Sequence, residues 1–205
     1  MSVSAREALA RLREGNRRFV SGVRSLDALL SHTRRAELAA GQRPFATVLG
    51  CSDSRVPAEL VFDQGLGDLF VIRVAGNIVS PSQVGSVEFA AEMFETPLVV
   101  VLGHTQCGVI LTAIAETRQP TSHSPNVRSI VDRVRPAVAT VMTAGITDEE
   151  RLVHEAVRAN VRASADHLRH GSALLERFIQ EDRLLVVGAE YSLETGEVDF
   201  FDGAS

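Results

Sequence analysis

The chain contains no lysine; all 21 of its basic residues are arginine. That absence excludes a Schiff-base lysine, a cofactor aldimine and the lysine of a phosphate-binding loop. Long apolar runs are also missing. The clearest, 97–102 and 184–187, fall far short of the roughly 18 residues that a membrane-crossing helix needs, so no membrane association is expected. The formal net charge is -5 and the arginines are scattered, which leaves no basic patch to attract nucleic acid. Only two cysteines are present, Cys51 and Cys107. Two thiols in such a chain form one disulfide, lie buried and inert, or bind something. Residues 4–20 are amphipathic, include Glu7 and Glu14, and lack both the apolar stretch and the small-residue cleavage site of a secretion signal. A cytoplasmic protein is therefore expected, and there the disulfide is disfavoured.

What is present reads as one α/β domain over 1–205, with 1–41 as an N-terminal helical arm and 42–205 as the core. The 205 residues, 45% hydrophobic and 23% charged, suffice for one substantial core. Ser4-x-x-Glu7 has the form of a capping box and opens a first helix. A second helical piece is expected over about 31–40. Apolar, β-branched runs at 45–50, 68–75, 97–103 and 184–192 predict four strands, and 198–201 a short edge strand after the turn 194–197. Helices are expected over 57–62, 82–95, 104–115, 127–142, 148–170 and 172–180. Strands alternating with helices predict a mainly parallel four-stranded sheet with helices on both faces, a short C-terminal edge strand and extra N-terminal helices.

Two short segments stand out because each follows a strand-like run that ends at a glycine. Cys51-Ser52-Asp53-Ser54-Arg55 follows Gly50, and His104-Thr105-Gln106-Cys107-Gly108 follows Gly103. In an open α/β sheet, ligands bind where strands give out. Two thiols and an imidazole gathered there suit zinc with one position left open. His104 and Cys107, three apart, share a face if a helix starts at that point. Cys51, Asp53 and Arg55, spaced by two, project to one side of an extended chain, with Arg55 near enough to pair with Asp53 and hold it off a metal. The other histidines, His32, His123, His154, His167 and His170, are read as solvent-facing. Gly65-Leu66-Gly67-Asp68 fails as a dinucleotide fingerprint, because a third glycine is missing and a strand follows rather than a helix.

Cys-x-Asp-x-Arg with His-x-x-Cys, the run 67–73, Ala75-Gly76-Asn77, the run 86–90 and the late stretch 191–196 together resemble the β-class carbonic anhydrases. The resemblance spans about 14–198. It implies one Zn2+ per chain held by Cys51, His104 and Cys107, and reversible hydration of CO2 to bicarbonate and a proton by zinc-bound hydroxide. Asp53, oriented by Arg55, is implied as the group that positions the hydroxide and relays its proton; in a closed state Asp53 itself would take the fourth zinc position. The family's substrate pocket lies at a dimer interface, and its glutamine and aromatic correspond here to Gln42 and Phe70. Phe89 stands where plant-like members have a tyrosine, and Gly108 follows the second cysteine. Val48 stands where some bacterial members carry the tryptophan of a regulatory bicarbonate pocket, so the resemblance does not extend to that pocket. A homodimer or dimer of dimers is implied. The alternatives are a hydrolase of the same fold acting on carbonyl sulfide or carbon disulfide, and a non-catalytic zinc-binding module with Asp53 as a permanent ligand.

Overall fold

A computed structural model describes residues 3–25, 35 and 38–204. Helix α1 spans Ala5–Val20 and opens on the expected capping box, in which Ser4 and Glu7 satisfy each other's backbone N–H groups. The helical piece expected over about 31–40 lies largely outside the described residues. Next come β1 (Ala46–Gly50), the short α2 (Ala58–Val61), β2 (Leu69–Arg73), a 3-10 turn (Ala75–Asn77), α3 (Pro81–Met93) and β3 (Leu98–His104). Helices α4 (Gly108–Arg118), α5 (Pro125–Met142), α6 (Glu149–His170) and α7 (Ala173–Gln180) precede β4 (Leu185–Tyr191) and β5 (Val198–Asp202).

The five strands form one sheet in the order β2-β1-β3-β4-β5. The first four are mutually parallel and β5 runs antiparallel to β4, as the strand-helix alternation and the C-terminal turn predict. Strands β1 and β3 are buried along their whole length, because helices cover both faces. Alternate residues go to opposite sides. Val48, Leu98, Val100 and Leu102 pack under α1 and α2 with Leu12 and Phe62, whereas Leu49, Val99 and Val101 pack under α3, α6 and α7 with Val161, Leu168 and Phe178. Each fully buried side chain of this size contributes about 1.5–3 kcal/mol, so the sheet ends are rigid supports.

From β1 the chain moves outward to β2, then crosses back to β3 on the other side of β1. The carboxyl ends of β1 and β3 therefore flank the point where the strand order reverses, with Gly50 level with Leu102. A crevice is expected there. Helix α6 lies close over this end because Gly103 has no side chain; a Cβ there would sit 2.5 Å from a Val161 methyl.

Candidate metal centre

Cys51 is the first residue beyond β1, His104 the last of β3, and Cys107 caps the N-terminus of α4. His104 and Cys107 do not share a helical face, contrary to the expectation that a helix starts at 104. Strand β3 runs through His104, and the chain turns over Thr105-Gln106, with Gln106 in the left-handed region (φ 56°), before α4 begins. The turn rather than helical periodicity swings Cys107 back toward the imidazole. One ligand atom from each of Cys51, His104 and Cys107 lies within 4.8 Å of the others, and all three residues are buried.

The chemistry of these donors fits a thiophilic divalent ion. The His104 ring is held through Nδ1, which lies 2.9 Å from the Thr105 carbonyl oxygen and donates to it. That fixes the tautomer with Nε2 deprotonated. Nε2 is fully buried and has no hydrogen-bond partner among the described residues. An unpartnered buried nitrogen beside two sulfurs is a ligand in waiting, since a buried polar atom otherwise costs roughly 1–3 kcal/mol. The Cys51 thiol is drawn down to about 4, chiefly by the hydrogen bond from Cys107, with the neighbouring His104 imidazole and then the Gly76 N–H at 3.3 Å adding to it against the opposing effect of burial. Cys107 is pushed up by that same hydrogen bond and by burial.

Asp53 and Arg55 pair, but in a turn rather than in an extended chain. The Val56 N–H donates to the Asp53 carbonyl, which folds Arg55 back. Its Nε and Nη2 then donate to the two Asp53 carboxylate oxygens at 2.9 and 2.7 Å, and its own backbone N–H donates to Oδ1 at 3.0 Å. The Arg55 guanidinium holds the Asp53 carboxyl well below the usual carboxylate range. Oδ2 stands 3.9 Å from His104 Nε2, at the edge of the cluster. A neighbour without an assigned role in the sequence reading is Arg73, level with Gly50 at the end of β2. Its guanidinium donates to the carbonyls of Cys51 and Asp53 at 3.0 and 2.5 Å, clamping the loop that carries both. The signal for it was the register: an arginine ending the strand beside β1.

The residues matched to a substrate pocket come from different elements. Gly108 is exposed, and a Cβ there would meet nothing within 4 Å, which leaves open space beside Cys107. Phe70 and Phe89 pack with Phe94 at ring-centroid distances of 5.9 and 5.5 Å. Gln42 lines a separate hollow with Leu38 and Gly67. Of the remaining histidines, His167 and His170 are exposed as expected. His123 and His154 are instead half-buried, at 2.9 Å from Glu116 and 3.0 Å from Glu190, because α4 and β4 each place a carboxylate behind one of them; His32 lies outside the described residues.

Residues 46–198 match the model of a family described as carbonic anhydrase. Carbonic anhydrase 2 of Mycobacterium tuberculosis is 43% identical over 189 residues, covering 90% of this chain and 87% of that protein. The carbonic anhydrase of Mycolicibacterium smegmatis is 38% identical over 188 residues, covering 92% and 89%. Among solved structures, a tetrameric β-carbonic anhydrase of Sordaria macrospora superposes with a TM-score of 0.75 at 25% identity, covering 84% of this chain and 89% of that one.

Proposed function

The chain belongs to the β-class carbonic anhydrase family, and from that premise we propose that Cys51, His104 and Cys107 hold the zinc at which it hydrates CO2 reversibly to bicarbonate. The observation that carries the assignment is the convergence of two buried thiols on a buried imidazole nitrogen that has no hydrogen-bond partner among the described residues. When bound, zinc supplies the Lewis acidity that brings the pKa of a coordinated water to about 7.

The chain's own groups do the rest. Thr105 fixes the His104 ring so that Nε2, not Nδ1, faces the cluster. Asp53 Oδ2, 3.9 Å from His104 Nε2, would accept the O–H of a water at the metal position and so orient it, handing the released proton on to solvent because its carboxyl is held well below the usual range. Arg55 makes this possible by binding both carboxylate oxygens, which restrains Asp53 from swinging in as a fourth ligand. Arg73 keeps the supporting loop still. Open space at Gly108 leaves a small linear molecule room to approach. The pairing with Arg55 favours catalysis over a purely structural zinc role, because a permanent carboxylate ligand would not be held by an arginine fork.

We place Gln42, Phe70 and Phe89 in a substrate pocket completed by a second copy of the chain, as a homodimer or dimer of dimers. One fact supports that reading: α3 exposes Phe89 and Met93, at 48% and 62%, beside Phe70 and Phe94. Thiols that must stay reduced to bind metal support a cytoplasmic location. No helix among the described residues is long and apolar enough to cross a membrane.

The test is zinc content and CO2 hydration in Cys51→Ser, His104→Ala and Cys107→Ser. Each is expected to fall well below one zinc per chain and to lose hydration. Retention of one tightly bound zinc by any of the three would remove that residue from the ligand set.

A further inference from the structure

Helix α6 carries a buried stripe of Leu152, Val153, Ala156, Val157, Val161, Ala165 and Leu168, interrupted by two polar residues one turn apart, Asn160 and Ser164. They are 3% and 5% exposed. Burying an amide and a hydroxyl in an apolar face is costly unless both are used, and both are. Asn160 Nδ2 donates to the Gly76 carbonyl at 2.9 Å, and Ser164 Oγ donates to the Asn77 carbonyl at 3.1 Å.

Gly76 and Asn77 form a turn with φ of 75° and 42°, a region that glycine enters freely and asparagine tolerates. The turn is wedged under α4, since a Cβ on Gly76 would lie 2.9 Å from a Val109 methyl. Its product is one aimed donor: the Gly76 N–H points at Cys51 Sγ, 3.3 Å away in a buried setting. Three elements thus converge on the Cys51 sulfur. The turn gives the N–H, α4 closes over it, and α6 grips two successive carbonyls from behind.

We propose that Asn160 and Ser164 are positioning residues for the metal centre, holding the 75–77 turn so that its N–H stays directed at the Cys51 sulfur. The proposal rests on the reading of Cys51 as a zinc ligand. A hydrogen bond to a coordinating sulfur orients it and tunes how much charge it donates; outer partners of this kind typically change metal affinity by about 10- to 100-fold. Neither residue touches the metal position, so their effect passes entirely through the turn.

The test uses the full chain, stripped of metal and titrated with zinc against a chelator of known affinity. In parallel, Co2+ is loaded to read the sulfur-to-metal charge-transfer band. Asn160→Ala and Ser164→Ala should each weaken zinc binding, and the double variant should do so by about 10- to 100-fold. The cobalt band should move to lower energy, because a thiolate that has lost a hydrogen-bond donor gives up electron density more readily. Ser164→Thr keeps the hydroxyl and should bind zinc close to the parent's affinity. Leu168→Ala removes a fully buried side chain from the same helix away from the turn; it should lower Tm with zinc affinity and cobalt band unchanged. If the double variant does not fold, the single variants decide. Parent-like zinc affinity with an unshifted band in Asn160→Ala and Ser164→Ala would overturn the proposal, as would an equal loss of affinity in Leu168→Ala. Failure of the underlying ligand reading shows separately, as undiminished zinc affinity in Cys51→Ser.

Discussion

Replacing Arg55 by alanine separates orientation of Asp53 from its ionisation. In the parent, the carboxylate receives two guanidinium hydrogen bonds and one backbone N–H. The substitution leaves only the last. Half of the Arg55 side chain is exposed, and exposed ion pairs add little to stability, so Tm should barely move. The carboxyl should return toward its ordinary range near 4 and so stay ionised at neutral pH. What is lost is restraint, because Asp53 becomes free to rotate toward the ligand cluster 3.9 Å away. A positioned acid-base group contributes about 10²- to 10⁴-fold, so stopped-flow CO2 hydration should drop by at least about 10²-fold. Raising the pH should not restore it, since no carboxylate charge has been lost. Arg55→Lys, with the charge but not the fork, should fall between. Activity close to the parent's, or a loss fully recovered at higher pH, would refute the orienting role.

Three other outcomes follow from the packing and charge. Gly103→Ala places a methyl 2.5 Å from Val161, and such overpacking should cost about 1–3 kcal/mol in denaturant unfolding and reduce zinc occupancy through the displaced His104. Glu190 is buried, and burial pushes its carboxyl up despite His154 and Arg158, with Asp199 adding to the rise. A raised folded pKa contributes stability below the unfolded value and loses it as pH climbs, so Glu190→Gln should raise Tm near pH 7 and lose that advantage below about pH 4. Removing zinc with a chelator should lower Tm, and restoring free zinc to about 100 times its Kd should return about 2.7 kcal/mol, as read by calorimetry.

The metal centre was legible in the sequence where its signals were local. Cys51 and His104 each sit beyond an apolar run broken by glycine, and parallel pairing of β1 with β3 brings those ends together. The local geometry was less legible. Expected periodicities, extended for 51–55 and helical for 104–107, gave way to turns, because a strand that reaches its ligand must reverse at once. The supporting contacts were hidden for another reason. Asn160 reaches Gly76 across 84 positions and Ser164 reaches Asn77 across 87, and only the close packing of α6 on the sheet reveals why polar residues interrupt its apolar face. His154 and His123 were misplaced similarly, since the carboxylates behind them come from β4 and α4.

The most direct measurement is stopped-flow CO2 hydration on protein of known zinc content, from about pH 6.5 to about pH 9, a span that brackets the pKa of about 7 that zinc gives to bound water. Hydration that rises in proportion to zinc up to one per chain is the predicted result. Full zinc occupancy with no hydration at any pH in that range would contradict catalysis at Cys51, His104 and Cys107.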